Sequence, residues 1–238
     1  MLILLLKFTL AHLLGDFLFQ SKSWVEDKQN RKIYSVYLYL HITIHFGLLL
    51  LVMGFEKIYW QGILVILTTH YIIDLLKSYS KNIISTRKAF FIDQLLHFSV
   101  IIAVSLYYES KDFSFSQLHS SKVLLLLIAI LLLTSVASII MRVVITRWES
   151  IESSSQNSLK DAGNFIGLLE RILIFIFVIT GHIAGVGFLL AAKSVFRFGD
   201  LSQAQDRKMT EYVLIGTLIS FTMAILIGFG YSYIYKLL

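Results

Sequence analysis

Residues 34–54, YSVYLYLHITIHFGLLLLVMG, form the stretch from which the fold is best predicted. The stretch is apolar over almost its whole length, and it contains two histidines, His41 and His45. A helix needs about 20 apolar residues to cross the hydrocarbon core of a bilayer, so the stretch predicts a transmembrane helix. Since the two histidines are four residues apart, such a helix would carry both on one face.

The composition extends this prediction to the whole chain. Of 238 residues, 57% are hydrophobic and 15% are charged, and the mean hydropathy is +0.76. Soluble domains average about 45–50% apolar and about 25% charged residues. We therefore expect an all-α fold, a polytopic transmembrane helix bundle of about eight membrane helices, the seventh short or tilted. The predicted segments are roughly 2–20, 34–54, 59–78, 89–107, 122–146, 163–180, 182–198 and 209–236.

The distribution of positive charge predicts the orientation in the membrane. With eight spans, fourteen Lys and Arg residues fall near one face of the bilayer and five near the other. The positive-inside rule assigns the richer face to the cytoplasm and places both termini outside. We expect a multi-pass protein of the cell membrane, in contact with the lipid bilayer. The net charge of +6 does not call for a nucleic-acid partner, because no basic soluble domain is present to bind one.

A polar, Ser-rich stretch at 149–162, ESIESSSQNSLKDA, divides the chain into two halves of one integral membrane domain. Residues 1–146 are predicted to form a metal-binding helical half, and residues 147–238 a second helical half that carries a cluster of Glu, Arg and Lys. The chain has no Cys, which excludes disulfides and thiolate metal ligands.

Four pairs of His and Asp residues stand out in the first half, and each pair lies in a different predicted helix. Every pair has a spacing of four residues, which places both side chains on one helix face. Because successive helices alternate in direction, all four pairs fall at one level, toward the predicted cytoplasmic side. The pairs are His12 and Asp16, His41 and His45, His70 and Asp74, and Asp93 and His97.

These eight residues predict a buried metal site. An ionisable group within the bilayer costs at least about 2.5–3.5 kcal/mol, and a shared metal would offset that cost for all eight. One zinc ion takes four ligands, so eight suit two divalent ions about 3.5–4 Å apart. Alternatively, some of the eight orient the ligands. Imidazole and carboxylate suit Zn, Mn or Fe. A proton-relay network without metal is the other interpretation. Asp16 or Asp93 is the candidate catalytic base.

Polar residues also interrupt the apolar segments of the second half. Cationic groups next to a dimetal centre would suit an anionic substrate group, most simply phosphate. The same residues could instead form a salt-bridge network that holds the last helices together. The candidate substrate-binding residues are Glu170, Arg171, Lys193, Arg197 and Glu211.

The motif HLLGDFLFQ at 12–20, followed by HxxxH, HxxxD and DQxxH, resembles the bacterial membrane-protein family known as domain of unknown function 3307 (DUF3307). The later segments LLERILI, AAKSVFRF and EYVLIGTLIS also resemble that family. The resemblance implies a bacterial inner-membrane protein and implies little about activity. The ligand type is more loosely similar to that of membrane-bound metal-dependent hydrolases.

Three functions are compatible with these patterns. The favoured hypothesis is a membrane-embedded metal-dependent hydrolase that acts on a phosphate-containing or lipid-linked substrate through a dimetal centre near the cytoplasmic face. The first alternative is a divalent-metal transporter, because such carriers also place His and Asp on paired helices. The second alternative is a structural or sensing membrane protein that the metal stabilises.

Overall fold

The computed structural model of the chain describes residues 2–80, 83–108, 118–145, 162–195 and 204–238. In these residues all regular secondary structure is helical, which confirms the predicted all-α class. The chain divides into two compact units, residues 1–128 and 129–238. The predicted boundary between halves, after residue 146, falls within the stretch 146–161, which lies outside the described residues.

In its described residues the first unit contains five α-helices and the start of a sixth. Helix α1 continues without a break into a short π-helix, Leu14–Leu18, in which the backbone is wider than in an α-helix. The helices are α1 Leu2–Leu13, α2 Lys22–Arg31, α3 Val36–Met53, α4 Trp60–Tyr79, α5 Thr86–Tyr107 and the beginning of α6 Leu118–Leu131.

Helix α2 replaces part of the polar connection that the sequence predicts at 21–33. Its ten residues are mostly polar, so hydropathy gives no sign of a helix. The helix starts with Ser21, whose side chain accepts a hydrogen bond from the Trp24 amide, and Asp27 pairs with Arg31 one turn later. An N-cap and such a pair stabilise a helix locally. The chain bends by 86° between the segments Leu2–Leu18 and Lys22–Tyr34, so α2 turns away from α1.

Among its described residues, the second unit contains the end of α6 and four further α-helices. A second π-helix, Leu132–Val136, joins α6 to α7. Helix α10 begins at Ala204, inside the connection predicted at 199–208, so that connection is shorter than expected. The remaining helices are α7 Ala137–Ile145, α8 Ala162–Ile179, α9 Ile183–Val195 and α10 Ala204–Leu237.

Several of the helices meet the length and apolarity that a membrane span requires. In the described residues five do so, and the bent pair Leu2–Leu18 with Lys22–Tyr34 makes a sixth if it counts as one span. Helix α9 is apolar but shorter. Many large apolar side chains on these helices face outward, which is compatible with a membrane protein. The five are Val36–Met53, Lys57–Tyr79, Thr86–Tyr107, Ser121–Ile145 and Val213–Leu237.

The core of the first unit is an apolar layer that lies one helical turn away from four of the histidines. Phe8 precedes His12 by four residues on α1, and the same offset recurs on α3, α4 and α5. Side chains four residues apart are stacked along one face of a helix. The apolar layer and the histidine layer are therefore neighbours along the bundle. The four pairs are Phe8 and His12, His45 and Leu49, Ile66 and His70, and His97 and Ile101.

The packing of α4 against α5 supports a stability prediction at Tyr108. The Gly62 amide in the first turn of α4 donates to the Tyr108 hydroxyl at 3.0 Å, and first-turn amides have no partner within their own helix. Tyr108→Phe should therefore lower the unfolding free energy by about 1–3 kcal/mol. Tyr107→Phe is the control, because Tyr107 is 64% exposed. Thermal unfolding of both variants in detergent measures the difference, and equal melting temperatures would contradict the prediction.

Candidate metal centre

All eight predicted ligands meet in one buried layer between α1, α3, α4 and α5. The five histidines each expose at most 3% of their surface. The carboxylate side chains of Asp16, Asp74 and Asp93 expose 8%, 5% and 2%. The four-residue spacing brings each pair onto one helix face, as the sequence predicts, and the packing of four helices then brings the four faces together.

Asp16 occupies the middle of this layer. Its Oδ1 atom lies 3.0 Å from His45 Nε2, 3.2 Å from His41 Nε2 and 3.4 Å from His70 Nε2. The carboxylate is carried by the π-helix Leu14–Leu18, and π-helical turns are frequent at functional sites. Gly15 makes the approach possible, because a Cβ atom at that position would overlap the ring of His45.

The contacts of His41 exceed what hydrogen bonding can satisfy. Its Nε2 atom lies 3.1 Å from His70 Nε2, 3.2 Å from Asp16 Oδ1 and 3.6 Å from Asp74 Oδ2. One imidazole nitrogen makes a single hydrogen bond, either as donor or as acceptor. Atoms bound to one tetrahedral zinc at about 2.0–2.1 Å lie roughly 3.3 Å apart. The observed spacings thus fit shared metal ligands better than hydrogen-bond partners.

A second part of the layer surrounds Asp93 and His97. Asp93 Oδ1 lies 3.8 Å from His97 Nδ1. Within the described residues, neither Asp93 Oδ1 nor either ring nitrogen of His97 has a hydrogen-bond partner, although all three atoms are buried. A buried polar group without a partner costs about 1–3 kcal/mol, and more if it is charged. A bound cation would satisfy these atoms.

The ligand atoms form three overlapping groups, and within each group they lie within 4.8 Å of one another. Asp16 belongs to two of the groups and His70 to two. A carboxylate can bridge two ions through its two oxygens, so Asp16 is suited to a shared position. The groups are His12, Asp16, His45 and His70; His41, His70 and Asp74; and Asp16, Asp93 and His97.

Four residues that the sequence does not single out as site residues also contact this layer. Lys28 Nζ lies 2.5 Å from Asp74 Oδ2, and Lys77 Nζ lies 2.6 Å from Asp93 Oδ2. In the sequence analysis both lysines contribute only to the positive charge that predicts the membrane orientation. Gln20 Nε2 lies 3.0 Å from His41 Nε2. The sequence gives a weak sign that Lys77 lies near the site, because Lys77 follows Asp74 by about one helical turn. No residue near Lys28 in the sequence indicates its contact with Asp74.

Gln94 is the fourth of these residues, and it connects the two parts of the layer. Its amide nitrogen donates to Asp16 Oδ2 at 3.1 Å and to Asp93 Oδ2 at 3.2 Å. Its side-chain oxygen lies 3.3 Å from His12 Nε2. Residues that hydrogen-bond to metal ligands fix their orientation. The signal for Gln94 in the sequence is its place beside Asp93 in the DQxxH motif.

A small cavity lies on the apolar side of the histidines. Its volume is ≈ 10 Å³, which is close to the space of one water molecule. Four histidines and an apolar floor surround it, so a molecule there would touch imidazole edges on one side and hydrocarbon on the other. The lining residues are Phe8, His12, His45, Leu49, Ile66, Thr69, His70, His97, Val100 and Ile101.

Three of the five candidate substrate-binding residues of the second half, Glu170, Arg171 and Lys193, have partners inside the second unit. Lys193 Nζ lies 2.7 Å from Glu170 Oε2. Arg171, which is 3% exposed, donates from Nε to the Leu133 carbonyl at 2.6 Å and also contacts two serines, Ser138 and Ser220. One carbonyl of the π-helix Leu132–Val136 is thereby hydrogen-bonded. Glu211 lies exposed on α10, and Arg197 falls outside the described residues.

Comparison with known families identifies the class of the chain. The model of the family described as "Protein of unknown function (DUF3307)" matches residues 4–126, which is more than half of the chain. The chain belongs to this family, as its motifs predict. The match covers all eight His and Asp residues and ends before LLERILI, AAKSVFRF and EYVLIGTLIS, so the resemblance of those segments lies outside it. No curated protein and no solved structure matches the chain.

The close approach of Gly15 and His45 gives a second prediction. In Gly15→Ala the new methyl group must displace the His45 ring from Asp16, and overpacking of this kind costs about 1–3 kcal/mol. Gly47→Ala is the matched control, because a Cβ atom there meets nothing within 4 Å and Ala favours a helix by up to about 1 kcal/mol. Melting temperatures of both purified variants test this. A Gly15→Ala protein as stable as Gly47→Ala would contradict it.

Proposed function

We propose that the chain is a membrane-embedded hydrolase with a dimetal centre in the first unit. The supporting observation is the convergence of eight buried His and Asp side chains whose atoms crowd at metal-ligand spacings. Three of their buried polar atoms have no hydrogen-bond partner in the part of the chain that the structure describes. The metal is a divalent ion, Zn, Mn or Fe, because these accept imidazole together with carboxylate. The substrate is a phosphate-containing or lipid-linked ester.

The two oxygens of Asp16 suggest how two ions are shared. On the Oδ1 side lie the Nε2 atoms of His41, His45 and His70. On the Oδ2 side lie His12, at 3.8 Å, and the Gln94 amide that leads to Asp93. We assign one ion to the first side, with Asp74 beside His41. The other ion would be held by His12, Asp93 and His97, and Asp16 lies between the two sets of ligands.

Hydrolysis at such a centre needs a base for the attacking water. Divalent ions in such a centre acidify a coordinated water and stabilise the leaving oxygen. Asp16 is surrounded by three histidines, whereas Asp93 keeps one oxygen, Oδ1, without a hydrogen bond in the described residues. That oxygen is also the one that an ion would occupy, so the base would be either Asp16 or Asp93. The base would take the proton of the water as the water oxygen attacks phosphorus, and that proton leaves on the released alcohol.

The membrane topology is part of the proposal: about eight spans, both termini outside and the centre toward the cytoplasm. Because the chain has no Cys, single cysteines can report sidedness without other changes. Ser23→Cys and Glu56→Cys place a thiol at exposed positions on opposite predicted sides. A membrane-impermeant maleimide should label Glu56→Cys in intact cells and Ser23→Cys only after permeabilisation. The reverse pattern would overturn the orientation.

Metal content gives the most direct test of the centre. Elemental analysis of the purified protein should find two transition-metal ions per chain, and His70→Ala should lose at least one, because His70 belongs to two of the ligand groups. His182→Ala is the matched control, since His182 is exposed in the second unit and contacts Thr180. Metal-free wild-type protein, or equal metal content in both variants, would contradict the proposed centre.

Turnover separates the enzyme from a structural metal centre. The burial of all eight ligands and a cavity with room for one water also suit ions that only stabilise the helices. An enzyme should cleave p-nitrophenyl phosphate or a lipid phosphoester, and Asp93→Asn should lower kcat by about 10²–10⁴. If a metal-loaded protein shows no turnover while chelation lowers its melting temperature, the structural function is supported instead. Metal flux into proteoliposomes would support the transporter.

A further inference from the structure

We infer that Lys28 and Lys77 bind the anionic group of the substrate, and that this group is a phosphate ester. The inference rests on the proposed dimetal centre and adds to it the chemical class of the ligand and two residues that recognise it. These lysines lie in the first unit with the metal ligands, whereas Lys193 and Arg171 have partners in the second unit.

Both lysines hold their ammonium groups against carboxylates of the centre. Lys28 reaches in from the polar helix α2 and is 5% exposed, with Nζ 2.5 Å from Asp74 Oδ2. Lys77 lies on α4 with a side chain 24% exposed, and its Nζ is 2.6 Å from Asp93 Oδ2. Asp74 and Asp93 belong to different ligand groups. The two cations thus flank separate parts of the centre.

A charge count shows what such a centre would need. Three aspartates, two lysines and neutral histidines give the protein groups a formal charge of −1, and two divalent cations would change that charge to +3. Uncompensated charge in a buried site is costly. Hydroxide and a phosphate ester with one or two negative charges would bring the sum close to zero. A neutral ester would leave most of the excess in place.

The positions of the lysines explain why a phosphate ester would be preferred over a neutral ester. Lysine binds phosphate as a compact point charge with three donors. With a metal on the inner side of each carboxylate, the ammonium groups no longer serve as the principal cations for Asp74 and Asp93. They can then donate to an oxygen anion at the same edge. Lys77 is the more exposed of the two lysines and is therefore the easier one for an incoming anion to reach.

Inorganic phosphate is the probe for this inference. Titration calorimetry on the metal-loaded full chain in detergent should show phosphate binding that weakens at least tenfold in Lys28→Met and in Lys77→Met. Lys22→Met is the matched control, because Lys22 lies on the same helix as Lys28 and is exposed. Metal content should stay at the wild-type value in all three. Lys28→Arg, which keeps the charge, should retain most of the binding.

The outcomes separate this inference from the proposed function. Wild-type protein without metal would overturn the proposed centre, and the inference with it. If the metal-loaded lysine variants both bind phosphate as tightly as the wild-type protein, the inference is overturned and the proposed centre is not. Lys28→Met leaves Asp74 without its ion pair. If that variant does not fold, phosphate binding by Lys77→Met tests the inference.

A parallel comparison identifies the source of the phosphate. Phosphatidic acid in nanodiscs presents the group from a lipid, and p-nitrophenyl phosphate presents it from water. Faster cleavage of the lipid supports a headgroup that arrives through the bilayer, and faster cleavage of the soluble ester supports a substrate from the cytoplasm. Cleavage of neither by metal-loaded protein, together with no phosphate binding, would overturn the inference.

Discussion

The structure of the first unit depends on the mutual satisfaction of buried ionisable groups. Five histidines and three aspartates lie between apolar helices, where water is scarce and an unpaired group is costly. Asp16 contacts three of the histidines, and Gln94 connects Asp16, Asp93 and His12. The remaining carboxylates each have a lysine. Helices α1 to α5 are all arranged so that these contacts can form.

Much of this layer could be predicted from sequence because its signals are local. Long apolar runs predict helices, and a spacing of four residues places a His and an Asp on one face. Alternating direction then puts all four pairs at one level, where the structure has them. Helix α2 lies in a stretch for which the sequence predicts only a polar connection, because a polar helix leaves no hydropathy signal. Its contact between Lys28 and Asp74 joins residues 46 positions apart, and no local pattern encodes such a pair.

The π-helices show a different limit of sequence-based prediction. Leu14–Leu18 contains Gly15 and Asp16, and Leu132–Val136 contains a Thr and a Ser, but such residues also occur in α-helices, so the sequence does not predict the wider π-helical turn. The first carries Asp16, and the second offers a carbonyl to Arg171. For the second half, residue types alone left substrate binding and a salt-bridge network open. The pairing of Lys193 with Glu170 shows at least part of such a network.

The offset of one turn between the apolar layer and the histidine layer fixes the sliding register of the four helices. A shift of one helix by a single turn, about 5.4 Å, would place Phe8 or Leu49 among the histidines, and a shift in the opposite direction would place a histidine among apolar side chains. Apolar helices without such a layer could shift along one another at a small cost in free energy, because the packing is similar at every level. The polar layer therefore determines the position of each helix along the bundle axis relative to its neighbours.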